Sequence, residues 1–137
     1  MTLITFVQAE RAEALKRLEK MYNNLDAKMT RTRYLEMCEQ LGKEPNLESM
    51  PPDWEDFPEA VQVSINIFGL LGDRVYPDIG YVGKDYTNLP TLIEVYGVED
   101  KDLLIEVLDF LDSRAIKKSS EHMKKELDKL KRKSSGK

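Results

Sequence analysis

The chain has 137 residues and a formal net charge of −4 at neutral pH, with one cysteine and one histidine. This length fits one domain that folds without a metal or a disulfide, and a single cysteine excludes an internal disulfide. The cysteine and the histidine together make neither a convincing zinc site nor a cysteine nucleophile with its own base, and no apolar run is long enough for a membrane helix.

The first predicted helix begins near Thr5, because Thr5 and Gln8 have the spacing of a capping box. Apolar residues then recur at steps of three and four, which is the period of an amphipathic helix. We expect this helix to end between Asn23 and Asp26. Its apolar positions are Phe6, Ala9, Ala12, Leu15, Leu18, Tyr22 and Leu25.

A second helix is predicted over residues 30–41, with Gly42 as its left-handed stop. Its apolar stripe consists of Tyr34, Met37, Cys38 and Leu41. Because Cys38 falls on this stripe, we expect it to act as a small apolar core residue.

The segment 43–58 is predicted to be a loop, because its four prolines remove amide donors and disfavour helix before them. Trp54 and Phe57 lie in this loop among acidic residues. A solvated acidic loop has no need of two large aromatic rings. We therefore expect both rings to pack onto the core rather than to form an exposed docking patch.

A third helix is predicted from Pro58, which suits a first helical turn, to Gly72. Its buried face consists of Val61, Ile65, Phe68 and Leu71. Residues 73–87 are predicted to form a structured turn region, which either contains a short hairpin or packs without one. A short fourth helix follows from Asn88 to Gly97, with Leu89, Leu92, Ile93 and Tyr96 facing inward.

The last predicted helix is the longest and begins at Glu99 or Asp100. Its inward stripe consists of Leu104, Val107, Leu108, Leu111 and Ala115. Beyond Ser120 the apolar residues thin to a seam one residue wide, at Met123, Leu127 and Leu130. We expect this end to project, to fray or to await a partner, and residues 134–137 to be disordered.

These elements predict an all-α fold. About five helices form one small bundle with an ordered loop region rich in aromatic residues and glycine, from which a basic C-terminal helix protrudes. The helical domain spans residues 1–116, and the basic helical tail with its disordered end spans residues 117–137.

Charge is sorted along the chain. Residues 44–112 hold 3 basic and 16 acidic residues, a net charge of −13, whereas residues 113–137 hold 10 and 3, a net charge of +7. The mild overall charge therefore conceals two strong and opposite fields. This pattern indicates a binding protein in which the acidic part and the basic part meet different surfaces.

The basic tail is the first candidate binding site. Its basic residues suit three alternatives: a solvated helical face, contact with nucleic acid through counterion release, or docking on an acidic protein surface, including the middle region of another copy. The tail lacks the aromatic or arginine interleaving of single-strand stacking platforms. The candidate residues are Lys117, Lys118, Lys124, Lys125, Lys129, Lys131, Arg132 and Lys133.

A second candidate interaction site lies in the loops. Its residues are Trp54, Phe57, Tyr81, Lys84 and Asp85. The segment 80–85 fits a GXXG phosphate or RNA loop only loosely, and the acidic residues around it would repel phosphate.

No catalytic residue, metal or cofactor is expected. Asp73, Asp78 and Asp85 flank the glycine turn without the spacing of a calcium loop. The histidine, His122, lies among lysines of the tail and is expected to be a solvated helix residue.

Three segments resemble small accessory proteins encoded by tailed bacteriophages. They are RYLEMCEQLGKEP at residues 33–45, Asp56-Phe57-Pro58 followed by Val61-Gln62, and GYVGKD at residues 80–85. The resemblance covers about residues 29–115. It implies a phage accessory protein in the cytoplasm of an infected bacterium or on the virion, and it makes Met29 an alternative start and residues 1–28 an extension. It implies no catalytic residue.

The expected function is therefore that of a non-enzymatic adaptor in virion assembly or DNA packaging. It would act through contacts with phage or host proteins, while its tail touches DNA or an acidic partner. One alternative is a tail-assembly chaperone that holds a helical client. The other is a host-directed inhibitor whose acidic body imitates nucleic acid. No membrane partner is expected, and self-association remains open.

Overall fold

The computed structural model describes residues 7–135. Within this range the chain forms five α-helices, one 3-10 turn and one antiparallel pair of strands. The helices are α1 (Gln8–Asp26), α2 (Arg31–Leu41), α3 (Glu59–Leu70), α4 (Leu89–Tyr96) and α5 (Lys101–Ser135). The 3-10 turn is Trp54–Asp56, and the strands are β1 (Gly72–Tyr76) and β2 (Gly80–Asp85).

The five predicted helices are confirmed, but the prediction of an all-α fold is wrong in one region. Residues 72–85 form a hairpin, in which Val75 pairs with Tyr81 and Tyr76 with Gly80. The turn closes because the amide of Ile79 donates to the carbonyl of Tyr76 and Gly80 adopts a φ of 88°, a left-handed backbone conformation that glycine tolerates. The hairpin was one of two alternatives for this region, and it gives the protein a small sheet.

The core has two clusters, and α5 takes part in both. The first cluster joins α1, the loop before α3, α3 and α5, through Ala14, Leu18, Phe57, Val61, Leu103, Val107 and Leu111. The second joins α3 and α5, through Ile67, Leu71, Leu104 and Leu108, and α4 packs against it. Leu103 and Leu104 are adjacent on α5 but belong to different clusters, so α5 is the central element of the fold. Helix α1 contributes Ala14 and Leu18 and is part of the core in this chain.

Helix α2 has the predicted ends but not the predicted burial. The Thr30 hydroxyl accepts a hydrogen bond from the amide of Arg33, and Gly42 has a φ of 65°. Yet none of its eleven residues, all of which the structure describes, is buried. Leu41 is 65% exposed, and Cys38 is only partly buried.

The prediction that Cys38 belongs to the core is therefore wrong. Polar contacts hold α2 instead: Arg31 bonds to Asp56 and donates to the carbonyl of Pro51 at 3.1 Å. The Tyr34 hydroxyl accepts from the amide of Asn46 at 3.0 Å.

The two loop aromatics have different environments. Phe57 is 4% exposed and belongs to the first cluster, which confirms the prediction, whereas Trp54 is 38% exposed. The backbone of Trp54 is the anchored part, because its carbonyl accepts hydrogen bonds from Phe57 N and from Gln62 Nε2. The indole ring consequently stays at the surface, and the expectation that it packs onto the core is wrong.

Helix α5 continues without interruption to Ser135, two residues into the segment predicted to be disordered. From Lys124 to Ser134 every side chain is exposed, including Leu127 at 55% and Leu130 at 62%. The predicted protruding basic helix is thus present in the structure. The predicted capping residue Thr5 and the apolar position Phe6, like residues 136 and 137, lie outside the described residues.

Candidate functional site

The hairpin is fastened to α5 by one carboxylate. Asp112 is 8% exposed and accepts hydrogen bonds from the Tyr81 hydroxyl at 2.5 Å and the Tyr86 hydroxyl at 2.6 Å. Both of its oxygens also lie 3.2 Å from the backbone amide of Lys84. Three donors around one carboxylate are typical of a satisfied buried anion.

The electrostatics of this cluster keep Asp112 charged and the two phenols neutral. Burial by itself would raise the pKa of Asp112, but the hydrogen bonds from Tyr81, Tyr86 and the Lys84 amide outweigh it and hold the pKa below its usual range. Burial, followed by the hydrogen bond to Asp112, raises the pKa of both tyrosines. These shifts move the pKa of Asp112 further from the pKa values of the two tyrosines. The cluster is therefore suited to holding the hairpin in place rather than to exchanging protons near neutral pH.

Lys84 is buried, and its side chain contacts three residues at the end of α3 and in β1. Its Nζ donates to the carbonyl of Leu71 at 3.2 Å, pairs with Asp73 at 2.7 Å and lies 4.6 Å from the ring centroid of Phe68. The ammonium therefore links β2 to the end of α3 and to β1. Its position is more typical of an internal tie than of a group that reaches out to a partner.

Lys84→Met is expected to lower the free energy of unfolding by about 1–2 kcal/mol, because it keeps the apolar stem but leaves the Leu71 carbonyl without its donor and removes the contact with Phe68. The exposed Asp73 carboxylate contributes little to this figure. Urea denaturation measures the change, with the exposed Lys101→Met as the matched control. If the two variants are equally stable, the Lys84 ammonium does not stabilise the contact between β2, α3 and β1.

The five residues of the predicted loop site have different surroundings. Tyr81 and Lys84 meet at Asp112, and Phe57 is in the first core cluster. Asp85 is exposed and accepts hydrogen bonds from the hydroxyl and the amide of Thr87, which hold its pKa below the usual range and fix the turn into α4. Trp54 remains at the surface of the 3-10 turn.

The basic tail is exposed along most of its described length. Lys118 bonds to Asp26 at the end of α1, as does Arg114, and Lys129 lies 3.6 Å from Glu126. At 100° per residue, the side of α5 opposite Met123, Leu127 and Leu130 carries Lys118, Lys125, Lys129 and Arg132. Lys124, Lys131 and Lys133 flank the apolar residues. The tail therefore carries a basic face and a narrow apolar seam on the same helix. His122 is exposed on it, as predicted.

A cavity of about 330 Å³ lies where α3 begins, α4 ends and α5 begins. We call it the acidic pocket. Its walls are apolar and its rim carries carboxylates, and none of the residues in 7–135 that line it is a lysine or an arginine. The walls include Pro58, Ala60, Val63 and Val98, and the exposed Glu59 and Glu99 form the rim. Asp100 also lines the cavity, but it is buried and its carboxylate accepts a hydrogen bond from the amide of Leu103.

Within residues 7–135, no group of three or more histidine, cysteine, aspartate or glutamate side chains is arranged to hold a metal ion. None of the helices in this range combines the length and apolar character needed to cross a bilayer.

Sequence reasoning missed Asp112, Tyr86 and the acidic pocket. The sequence did hold one signal for Asp112, which follows Leu111 and lies four residues after Leu108, at the edge of the inward stripe of α5. An acidic residue beside such a stripe indicates a partner within the fold. The pocket has no comparable signal, because it is built from three segments.

No protein-family model, curated protein or solved structure matches this chain.

Proposed function

We propose that this protein is a non-enzymatic adaptor of a tailed bacteriophage, which acts in virion assembly or DNA packaging. Its acidic body and its basic tail bind different surfaces. The observation that carries this proposal is the division of α5: its residues between Leu103 and Leu111 contribute to both core clusters, whereas residues 124–134 are exposed. One continuous helix thus connects whatever the tail contacts to the body.

The phage assignment is supported by the resemblance of residues 33–45, 56–62 and 80–85 to phage accessory proteins. The site of action would be the cytoplasm of the infected bacterium or the virion. The charge distribution supports the division of labour, since the body carries net negative charge and repels phosphate. Nucleic acid, or an acidic protein surface, would therefore be met by the tail.

The structure identifies where the tail can be removed. The amide of Tyr81 donates to the Ser119 hydroxyl at 3.2 Å, and the backbone of Gly80 packs so closely that an added methyl would lie 3.3 Å from Cγ of Met123. Removing residues 117–137 would strip the hairpin of these contacts. Truncation after Met123 keeps them and deletes six of the eight candidate basic residues.

Truncation after Met123 is expected to abolish binding to a short DNA duplex of arbitrary sequence. A full-length variant with Lys124, Lys125, Lys129 and Lys131 changed to glutamine should reduce the slope of log K against log salt by up to about 3.6, since each of the four lost phosphate contacts contributes ~0.9. Fluorescence anisotropy at several salt concentrations measures both effects.

The matched control changes four exposed lysines outside the tail to glutamine: Lys16, Lys28, Lys43 and Lys101. It should leave the slope nearly unchanged. If both quadruple variants shift the slope equally, contact with nucleic acid is not made by the tail.

A second candidate is the host-directed inhibitor, favoured by the exposure of the acidic residues. Of the 16 acidic residues in 44–112, Asp100 and Asp112 are buried and Glu106 is partly buried, while the others are exposed. A protein partner that binds equally well after truncation at Met123, and that DNA displaces, would favour this candidate over the tail-driven adaptor.

A further inference from the structure

The exposed seam of the tail and the acidic pocket have complementary chemistry. Leu127 and Leu130 project from the tail, and Leu127 has Lys124 three residues before it and Lys131 four residues after it, both neighbours on the helix surface. The acidic pocket offers the reverse arrangement, with apolar walls inside a rim of carboxylates. Its volume, about 330 Å³, is at the small end of ligand pockets. It suits a pair of leucine side chains better than a cofactor.

The tail cannot reach the acidic pocket of its own chain. The pocket lies where α5 begins, at Glu99 and Asp100, and Leu127 lies 26 residues after Lys101 on the same uninterrupted helix. At 1.5 Å per residue the separation along the axis is about 39 Å. The two surfaces are held at opposite ends of one rod, so any contact between them joins different copies.

We infer that the seam of one copy docks its leucines into the acidic pocket of a second copy, which rests on the proposed role of the tail as a docking helix. The contact is head-to-tail, so it extends into a ring or an open chain rather than closing as a symmetric pair. The rim carboxylates select a basic helix over a neutral one. Part of this charge is balanced by the N-terminal end of α3, where Glu59 lies, so apolar contact supplies most of the affinity.

Pairing of two tails with each other is the competing arrangement, and the hairpin disfavours it. The hairpin turn at Gly80 already packs against Met123 of the seam and against the nearby Ser119. Only residues 124–135 of the described helix remain uncovered, which is less than two heptads. A parallel pair would also bring the two hairpins together on the seam side of both helices.

The test uses two variants that each destroy one surface. The tail variant, Leu127→Gln with Leu130→Gln, keeps good helix formers on an exposed face. The pocket variant, Glu59→Lys with Glu99→Lys, reverses two exposed rim charges. Matched controls change exposed leucines at Leu41 and Leu47 to glutamine, or exposed acidic residues at Glu55 and Glu94 to lysine.

Sedimentation velocity over a range of concentrations gives the outcome. The wild type and both controls should form species larger than two copies as concentration rises. Each site variant should have an association constant at least ~10-fold lower than that of the wild type. An equal mixture of the two site variants should form dimers and nothing larger, since only one intact tail and one intact pocket remain per pair. Circular dichroism confirms folding, and truncation after Met123 replaces the tail variant if that variant is unfolded.

Three outcomes would overturn the inference. They are a wild type that stays monomeric at all concentrations, a closed dimer that the pocket variant does not affect, and site variants that fail to associate when mixed. DNA binding by the tail is measured separately, so a monomeric wild type whose tail still binds DNA would refute the head-to-tail contact and leave the proposed function standing.

Discussion

Asp112→Ala is expected to lower the free energy of unfolding by about 3 kcal/mol. The change removes the acceptor of the Tyr81 hydroxyl, the Tyr86 hydroxyl and the Lys84 amide at once. Hydrogen bonds to a charged group contribute about 1.5–3 kcal/mol each, but the partly exposed Tyr86 can turn to water, which limits the sum. Chemical denaturation followed by circular dichroism measures the loss.

The matched control is Asp109→Ala, an exposed aspartate three residues earlier on α5. Its replacement should change stability by no more than about 0.5 kcal/mol. If the two variants are equally stable, the carboxylate does not hold the hairpin to the helix.

The contribution of Asp112 should also depend on pH. Its pKa is lower in the folded than in the unfolded chain, so ionised Asp112 favours the folded state. This stabilisation is complete above the unfolded pKa of ~3.9 and is lost as the pH falls through the lower folded pKa. The difference in unfolding free energy between wild type and Asp112→Ala should therefore be constant near neutral pH and shrink on acidification. A difference that grows in acid would contradict the sign of the shift.

Phe57→Ala is expected to lower the free energy of unfolding by about 3–4 kcal/mol, because it leaves a cavity in the first core cluster. The ring is 4% exposed, and the same cluster contains Leu18, Val61 and Leu103, none of which is accessible to solvent. These neighbours come from three different helices, so they cannot all move inward to fill the space. Thermal and urea denaturation measure the loss.

The control is Trp54→Ala, which removes a larger ring from the same loop. Because Trp54 is 38% exposed, its replacement should lower the free energy of unfolding by no more than about 1 kcal/mol. A larger cost for Trp54 than for Phe57 would reverse the assignment of which ring is in the core.

The helices of the fold could be predicted from the sequence because they depend on neighbouring residues. Apolar residues at steps of three and four marked α1, α3 and α5, and the stops at Gly42 and Gly97 were correct, with φ values of 65° and 61°. The hairpin was harder to predict from the sequence, because its β1 strand is exposed along its length and has a bulge between Asp73 and Val75. Such a strand shows no alternation of buried and exposed residues, and it depends on β2 packing against α5.

Helix α2 shows the opposite error. Its apolar stripe and its caps are clear in the sequence, yet none of its residues becomes buried. Periodicity reports that a helix has an apolar side, but it does not report whether the fold supplies a surface against it.

Residue order and helical period are enough to establish the segregation of charge, the positions of the five helices and the thin seam of the basic tail. Packing of distant segments is what makes Asp112 and Lys84 buried ties, brings Phe57 rather than Trp54 into the core, and forms the acidic pocket where α3, α4 and α5 meet. The physical reason is distance along the chain. Asp112 meets donors 26 to 31 residues away, and burial and hydrogen bonding of this kind exist only after the segments have come together.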